Sequence, residues 1–187
     1  GNAVADILFG DATPGGKLPV AFPRSGSHQP LYYARTLTHS PEGSPMYSPR
    51  YWDIPTTPLY PFGYGLSYTT FSFANLKVSA TQARIGGAVT VTAQVTNTGK
   101  MAGDEVAQLY IHQKSGSDSR PLRELKGFQR VTLQPGETKT VTFRLGPNEL
   151  GYWSTSAGKW IQDAAAFDLW LGADSTASLH AEFEVIG

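Results

Sequence analysis

From Val89 to Thr96 the chain reads Val-Thr-Val-Thr-Ala-Gln-Val-Thr. A strict period of two cannot belong to a helix, whose apolar stripe recurs every three or four residues. It requires a strand with one face on a core and the other on water. The same grammar returns further on. Val141, Phe143 and Leu145 alternate with Thr140, Thr142 and Arg144; Phe167, Leu169 and Leu171 share one face; Ala181, Phe183 and Val185 alternate with Glu182 and Glu184. Val106–Ile111 is a more continuous apolar run. Asn97-Thr98-Gly99 closes one strand, and Gln134-Pro135-Gly136-Glu137 fits a type II turn. With Asn75–Ala80 and Glu124–Thr132 this makes about seven strands in about 115 residues, the density of a two-sheet sandwich. The expected fold is mainly β, a two-sheet β-sandwich over residues 71–187.

The first 70 residues obey other rules. Ala3, Val4, Ile7 and Leu8 fall at helical spacing, with Asn2 placed to cap the start and Gly10 the end. Lys17–Pro23 is extended, and its two prolines confine it to an edge. One short helix and one strand cannot bury a core, so residues 1–25 read as the tail of a domain whose body lies elsewhere. Residues 26–70 form an aromatic- and proline-rich strap. Its end, Tyr60-Pro61-Phe62-Gly63-Tyr64-Gly65-Leu66-Ser67-Tyr68, joins the two regimes. On an extended backbone Tyr60, Phe62 and Tyr64 would share one side. We expect Tyr60, Phe62, Tyr64 and Tyr68 to serve interdomain packing, together with Trp170. Trp170 points opposite to Leu169 and Leu171, so it is either exposed or covered by another domain, and its large apolar area favours the second.

Composition excludes several classes. Fifteen acids balance fifteen bases, so bulk electrostatics draws the chain to neither nucleic acid nor anionic membrane. No apolar run reaches the ~20 residues of a membrane span. Absence of cysteine removes disulfides and thiolate chemistry. His28, His39, His112 and His180 show no metal-ligand spacing, and no metal or cofactor is expected. Gly63-Tyr64-Gly65 neither follows a strand nor opens a helix, which discards a dinucleotide fingerprint. No Gly-x-Ser-x-Gly elbow is present. Asp104 and Glu105 are adjacent on a strand, point to opposite faces and make a poor glycosidase pair. Arg50, Tyr51 and Trp52 combine a cation with two aromatics that could line a sugar. The residues favour the plainer alternative, a packing anchor with Arg50 paired to an acid.

Longer motifs carry a resemblance. Gly1–Asp11, Gly16-Lys17-Leu18-Pro19-Val20 and Phe22-Pro23-Arg24 resemble the C-terminal part of glycoside hydrolase family 3, as does Leu59–Thr69. Val95–Gly99, Gly103–Val106, Gln108-Leu109-Tyr110, Arg120-Pro121 and Leu125–Phe128 are similar to that family's fibronectin type III-like domain. Bacterial periplasmic β-glucosidases are the nearest in appearance.

The resemblance implies retaining hydrolysis of terminal β-D-glucosyl residues by carboxylates that lie in upstream domains. The family's Ser-Asp-Trp nucleophile motif is absent here, and Trp52-Asp53 has the reverse order. No catalytic residue is therefore assigned, and the chain alone is expected to be inactive. Its expected partners are the upstream catalytic domains, joined covalently or in a nicked complex, and through them a β-glucoside. The implied setting is periplasmic or secreted, although the chain shows no signal segment. Where the family has an acidic-Pro-Gly turn, this chain has Gln162-Asp163-Ala164-Ala165-Ala166, which predicts a longer or more mobile loop. A stand-alone carbohydrate-binding or interaction sandwich module is the competing reading.

Overall fold

The computed structural model describes residues 1–36 and 54–187. Within them lie two short α-helices, α1 (Asn2–Phe9) and α2 (Pro147–Leu150), one 3-10 turn (Gly26–His28) and ten strands. The strands are β1 (Phe71–Val78), β2 (Gln82–Arg84), β3 (Val89–Asn97), β4 (Gly103–Gln113) and β5 (Glu124–Leu133), then β6 (Thr138–Leu145), β7 (Tyr152–Ser154), β8 (Lys159–Ile161), β9 (Ala165–Gly172) and β10 (Leu179–Ile186).

One sheet has the order β1-β3-β6 and the other β2-β10-β9-β4-β5, while β7 and β8 form a separate hairpin. All pairings are antiparallel except β2 with β10. The alternation that opened the sequence reading sets the packing. Val89, Val91, Ala93 and Val95 of β3 and Val141, Phe143 and Leu145 of β6 face inward. They meet Ala107, Leu109 and Ile111 of β4, Phe167, Leu169 and Leu171 of β9, and Phe183 and Val185 of β10. Burying each such large side chain is worth about 1.5–3 kcal/mol, and this common core holds the two sheets together. Phe167 and Phe183, cross-strand partners, stack at 5.1 Å. Gly136 takes φ 75° and Glu137 N–H donates to the Gln134 carbonyl at 2.9 Å, the turn its sequence announces.

Several expectations need correction. Asn2 is the first helical residue of α1 and Gly1 holds the cap position; Gly10 does end the helix, with φ 85°. The loop expected around Gln162–Ala166 is short, with three residues between β8 and β9. Asp163 pins it: its carboxylate accepts from the Tyr152 hydroxyl at 2.6 Å, Ser117 N–H at 2.9 Å, the Ser117 hydroxyl at 3.0 Å and Gln113 Nε2 at 3.2 Å. An acid with four donors fixes a connection without Pro-Gly chemistry.

Trp170 is covered by its own chain. The Arg123 guanidinium sits 4.2 Å from its ring centre and the His180 ring at 5.4 Å, leaving it only partly exposed. Lys17–Pro23 forms no named strand, yet it pairs by backbone with the strap's end. Leu18 N–H donates to the Tyr64 carbonyl at 2.8 Å and Phe22 N–H to the Tyr60 carbonyl at 2.8 Å.

Candidate functional site

The described residues ahead of β1 meet the sandwich along β4, and the geometry begins at a turn. Gly63 takes φ 81°, and Tyr64 N–H returns to the Pro61 carbonyl at 3.2 Å. This fold-back separates the aromatics that an extended chain would have aligned. Tyr60 and Tyr64 stack on each other at 5.0 Å, whereas Phe62 turns away to stack on Tyr33 at 4.0 Å. Tyr33 in turn meets Tyr110 of β4 edge-on at 6.1 Å.

Beneath the turn lies a closed polar network. Gln108 Nε2 donates to the carbonyls of Gly63 at 3.1 Å and Ala173 at 2.5 Å, and its Oε1 accepts from the Tyr110 hydroxyl at 2.5 Å. Both residues are buried. A Cβ on Gly63 would stand 2.1 Å from Gln108 Oε1, so glycine is needed there for the approach as well as for its φ. Burial pushes the Tyr110 phenol far above its ordinary range and, more modestly, raises Tyr33 as well, with Glu124 nearby adding to the rise. The Tyr110 hydroxyl donates to Gln108, whereas the Tyr33 hydroxyl accepts from Leu125 N–H at 3.4 Å.

A second contact lies beside the first. Lys17 Nζ reaches Glu105 at 2.7 Å, with both side chains largely buried. Asp104 faces elsewhere. It takes a hydrogen bond from the Thr132 hydroxyl at 2.6 Å and pairs with Arg130, and these hold its carboxyl below the usual range. The two neighbouring acids thus serve separate cations. Tyr68 donates its hydroxyl to the Ile7 carbonyl at 2.5 Å and so ties α1 to the strap. Buried Asn97 is fully engaged. Its Oδ1 accepts from the Thr69 hydroxyl at 2.7 Å and Gly99 N–H at 3.0 Å, and its Nδ2 donates to the carbonyls of Met101 at 2.7 Å and Leu133 at 3.0 Å.

Of the residues singled out from sequence, Phe62 and Tyr64 are partly buried in this latch, and Tyr60 and Tyr68 stay 41% and 46% exposed. Arg50, Tyr51 and Trp52 lie outside the described residues. Sequence reasoning missed Tyr33, Gln108 and Tyr110. A signal was available: a strand with continuous rather than alternating apolar character is covered on both faces. It also missed a cluster on the outer face of β9 and β10, where ligand atoms of Asp168, His180 and Glu182 lie within 4.8 Å of one another. Lys114 Nζ already bridges Asp168 and Glu182 at 3.1 Å each, and His180 Nε2 lies 2.7 Å from Asp168. Burial works to raise the Asp168 carboxyl, but hydrogen bonds from His180 and Lys114 outweigh it and hold it low. A cation would have to displace an ammonium that satisfies both acids.

α1 stands apart. It has no buried residue, and Val4, Leu8 and Phe9 are 64%, 74% and 83% exposed. Its partly covered residues are Ala5, Asp6 and Ile7. Of the apolar stripe read from sequence, Ala3, Val4 and Leu8 are exposed and Ile7 is partly covered.

Comparison with known proteins accounts for this division. Residues 1–68 match the glycosyl hydrolase family 3 C-terminal domain, and residues 105–175 match a fibronectin type III-like domain. The chain belongs to glycosyl hydrolase family 3. It is 43% identical to the periplasmic β-glucosidase of Salmonella typhimurium over 100% of its own length and 25% of that protein's. It is 45% identical to a β-xylosidase of Formosa agariphila, over 95% of the chain and 24% of the relative. A β-glucosidase of Listeria innocua, solved in complex with glucose, superposes with a TM-score of 0.91 at 36% identity, over 100% of this chain and 26% of that one. This family 3 chain thus spans about a quarter of the length of the relatives it matches. No helix among the described residues is long and apolar enough to cross a membrane.

Proposed function

We propose that the chain is the non-catalytic C-terminal part of a retaining β-glucosidase acting on terminal β-D-glucosyl residues, and that its work is to dock onto and stabilise the upstream catalytic domains. The proposed division is a tail of the α/β domain (1–25), a strap (26–70) and the sandwich (71–187). The uncovered apolar face of α1 carries the reading. A helix pinned to the strap through Tyr68 yet presenting Val4, Leu8 and Phe9 to solvent has a partner of its own. Tyr60 and Tyr68 extend the same docking side, and Arg50, Tyr51 and Trp52 are proposed to lie near substrate. The likeness to a relative named as periplasmic supports a periplasmic or secreted setting.

Two carboxyls about 5 Å apart are needed for retaining hydrolysis. Among the described residues, Asp104, Glu105 and Asp163 are committed to Arg130, Lys17 and the Tyr152 hydroxyl, and the one close pair named above, Asp168 and Glu182, is bridged by Lys114. The test is a graft of this chain onto the upstream three quarters of the Salmonella enzyme. The graft should hydrolyse an aryl β-glucoside, whereas the 187-residue chain alone and the upstream piece alone should not. Turnover by the chain alone would overturn the proposal.

A further inference from the structure

The β7–β8 hairpin holds a feature that neither core nor latch uses. Trp153 and Trp160 are direct cross-strand partners, and both rings point to solvent at 55% and 68% exposure. They meet edge to face, with centroids 6.4 Å apart and planes at 79°. One ring offers its face while the other stands beside it as a wall, making a corner rather than a flat shelf.

The hairpin beneath is rigidly built. At its tip Gly158 takes φ 61° and donates its N–H to the Ser154 carbonyl at 2.9 Å, and the Ser154 hydroxyl accepts from Ala157 N–H at 3.2 Å. At its base buried Tyr152 lies under the Arg120 guanidinium at 4.1 Å and is bonded to Asp163. Two large apolar side chains are thus held in place in water at a position where they stabilise little of the fold. A site whose geometry is fixed in advance loses little freedom on binding.

We propose that this tryptophan corner is a docking site for a β-linked glycan chain. The chemistry around it selects the occupant. The turn that follows Trp153 is Ser154-Thr155-Ser156-Ala157-Gly158-Lys159, polar and largely exposed, so the apolar area stops at the two rings. A protein partner would need a broad apolar centre with a polar rim. A pyranose needs what is present: an aromatic face for its axial C–H groups and hydroxyls at the margin. In β-linked gluco- and xylopyranoses the ring substituents are equatorial, which leaves flat C–H faces that fit such a corner. The right-angled rings grip one sugar unit of a longer chain, and the site brings the polymer to the protein without acting on it. The choice of a β-glucan as first probe rests on the β-glucosidase reading above.

The test is native electrophoresis of the 187-residue chain through gels containing hydroxyethyl cellulose, xylan or glycogen. Retardation is expected in one or both β-glycan gels and absent in glycogen. Trp153→Ala and Trp160→Ala should each weaken it at least about fivefold, while tyrosine at either position retains much of it. Thermal unfolding midpoints should stay near that of the parent. If an alanine variant fails to fold, the tryptophan fluorescence of the unaltered chain decides. A saturable change on titration with cellotetraose or xylotetraose supports the site, and a flat response with both refutes it. Retardation by xylan alone keeps the site and counts against the glucoside reading. Failure of all β-glycans, equal retardation of the variants, or self-association abolished by Trp153→Ala would overturn the proposal.

Discussion

Replacing Gln108 with alanine gives the sharpest test of how the strap is held. The side chain makes three hydrogen bonds, to the carbonyls of Gly63 and Ala173 and from the Tyr110 hydroxyl. All three groups lose their partner at once. Tyr110 is wholly buried, so its hydroxyl cannot turn to water, while the two loop carbonyls sit nearer the surface. An orphaned buried polar group costs roughly 1–3 kcal/mol, and discounting the carbonyls puts Gln108→Ala at about 3–4 kcal/mol. For a chain of this length that lowers the unfolding midpoint by roughly 10 °C. Tyr110→Phe removes one bond and leaves Gln108 Oε1 unpaired, costing about 1–2 kcal/mol. In the double variant the Tyr110 hydroxyl is no longer there to be stranded, so the two costs should fall short of their sum by about 1 kcal/mol. Urea unfolding of the 187-residue chain measures all three. A Gln108→Ala cost below about 1 kcal/mol, or strict additivity, would refute the claim that a closed network fastens Gly63 to β4.

Other predictions follow from the same contacts. Gly63 and Gly136 both hold positive φ, but a Cβ meets Gln108 at the first and open space at the second. Alanine should therefore cost about 1 kcal/mol at Gly136 and well over 2 kcal/mol at Gly63, by urea unfolding. Lys17→Met strands the buried Glu105 carboxylate and should cost about 3–5 kcal/mol, whereas Lys17→Met with Glu105→Leu should recover most of it. Acid should weaken the fold. Asp104, Asp163 and Asp168 all have lowered folded-state values, so the unfolded chain takes up protons more readily. Their contribution is full above the ordinary carboxyl value near 4 and fades as pH falls through the lower folded values. Asp163→Asn should flatten that decline in a series of unfolding midpoints from about pH 5 to 2.

The sandwich was legible because its strands alternate. Val89–Val95, Val141–Leu145 and Phe167–Leu171 leave no second way to bury their apolar faces. Strands of three residues, Gln82–Arg84, Tyr152–Ser154 and Lys159–Ile161, carry no period to detect and went unseen. Asp163 was read as the loss of a turn signal, since nothing local says that it gathers donors from Gln113, Ser117 and Tyr152, up to 50 residues away. Trp170 looked in need of foreign cover because the partner that lies on it, Arg123, comes from β5's approach, far off in sequence. The latch was half visible. Glycine, proline and aromatics between Tyr60 and Tyr68 marked a bent joint, but which aromatic faced which depended on the direction of the Gly63 turn.

The docking face of α1 offers the most direct test of the central claim. Leu8→Asp with Phe9→Asp should leave the unfolding of the isolated chain within about 0.5 kcal/mol of the parent, since both side chains already face water. In the graft onto the Salmonella upstream domains, the same pair should cut β-glucoside hydrolysis at least tenfold and lower its inactivation temperature. Full activity and unchanged inactivation in the graft would contradict the claim that this face packs on the catalytic domains.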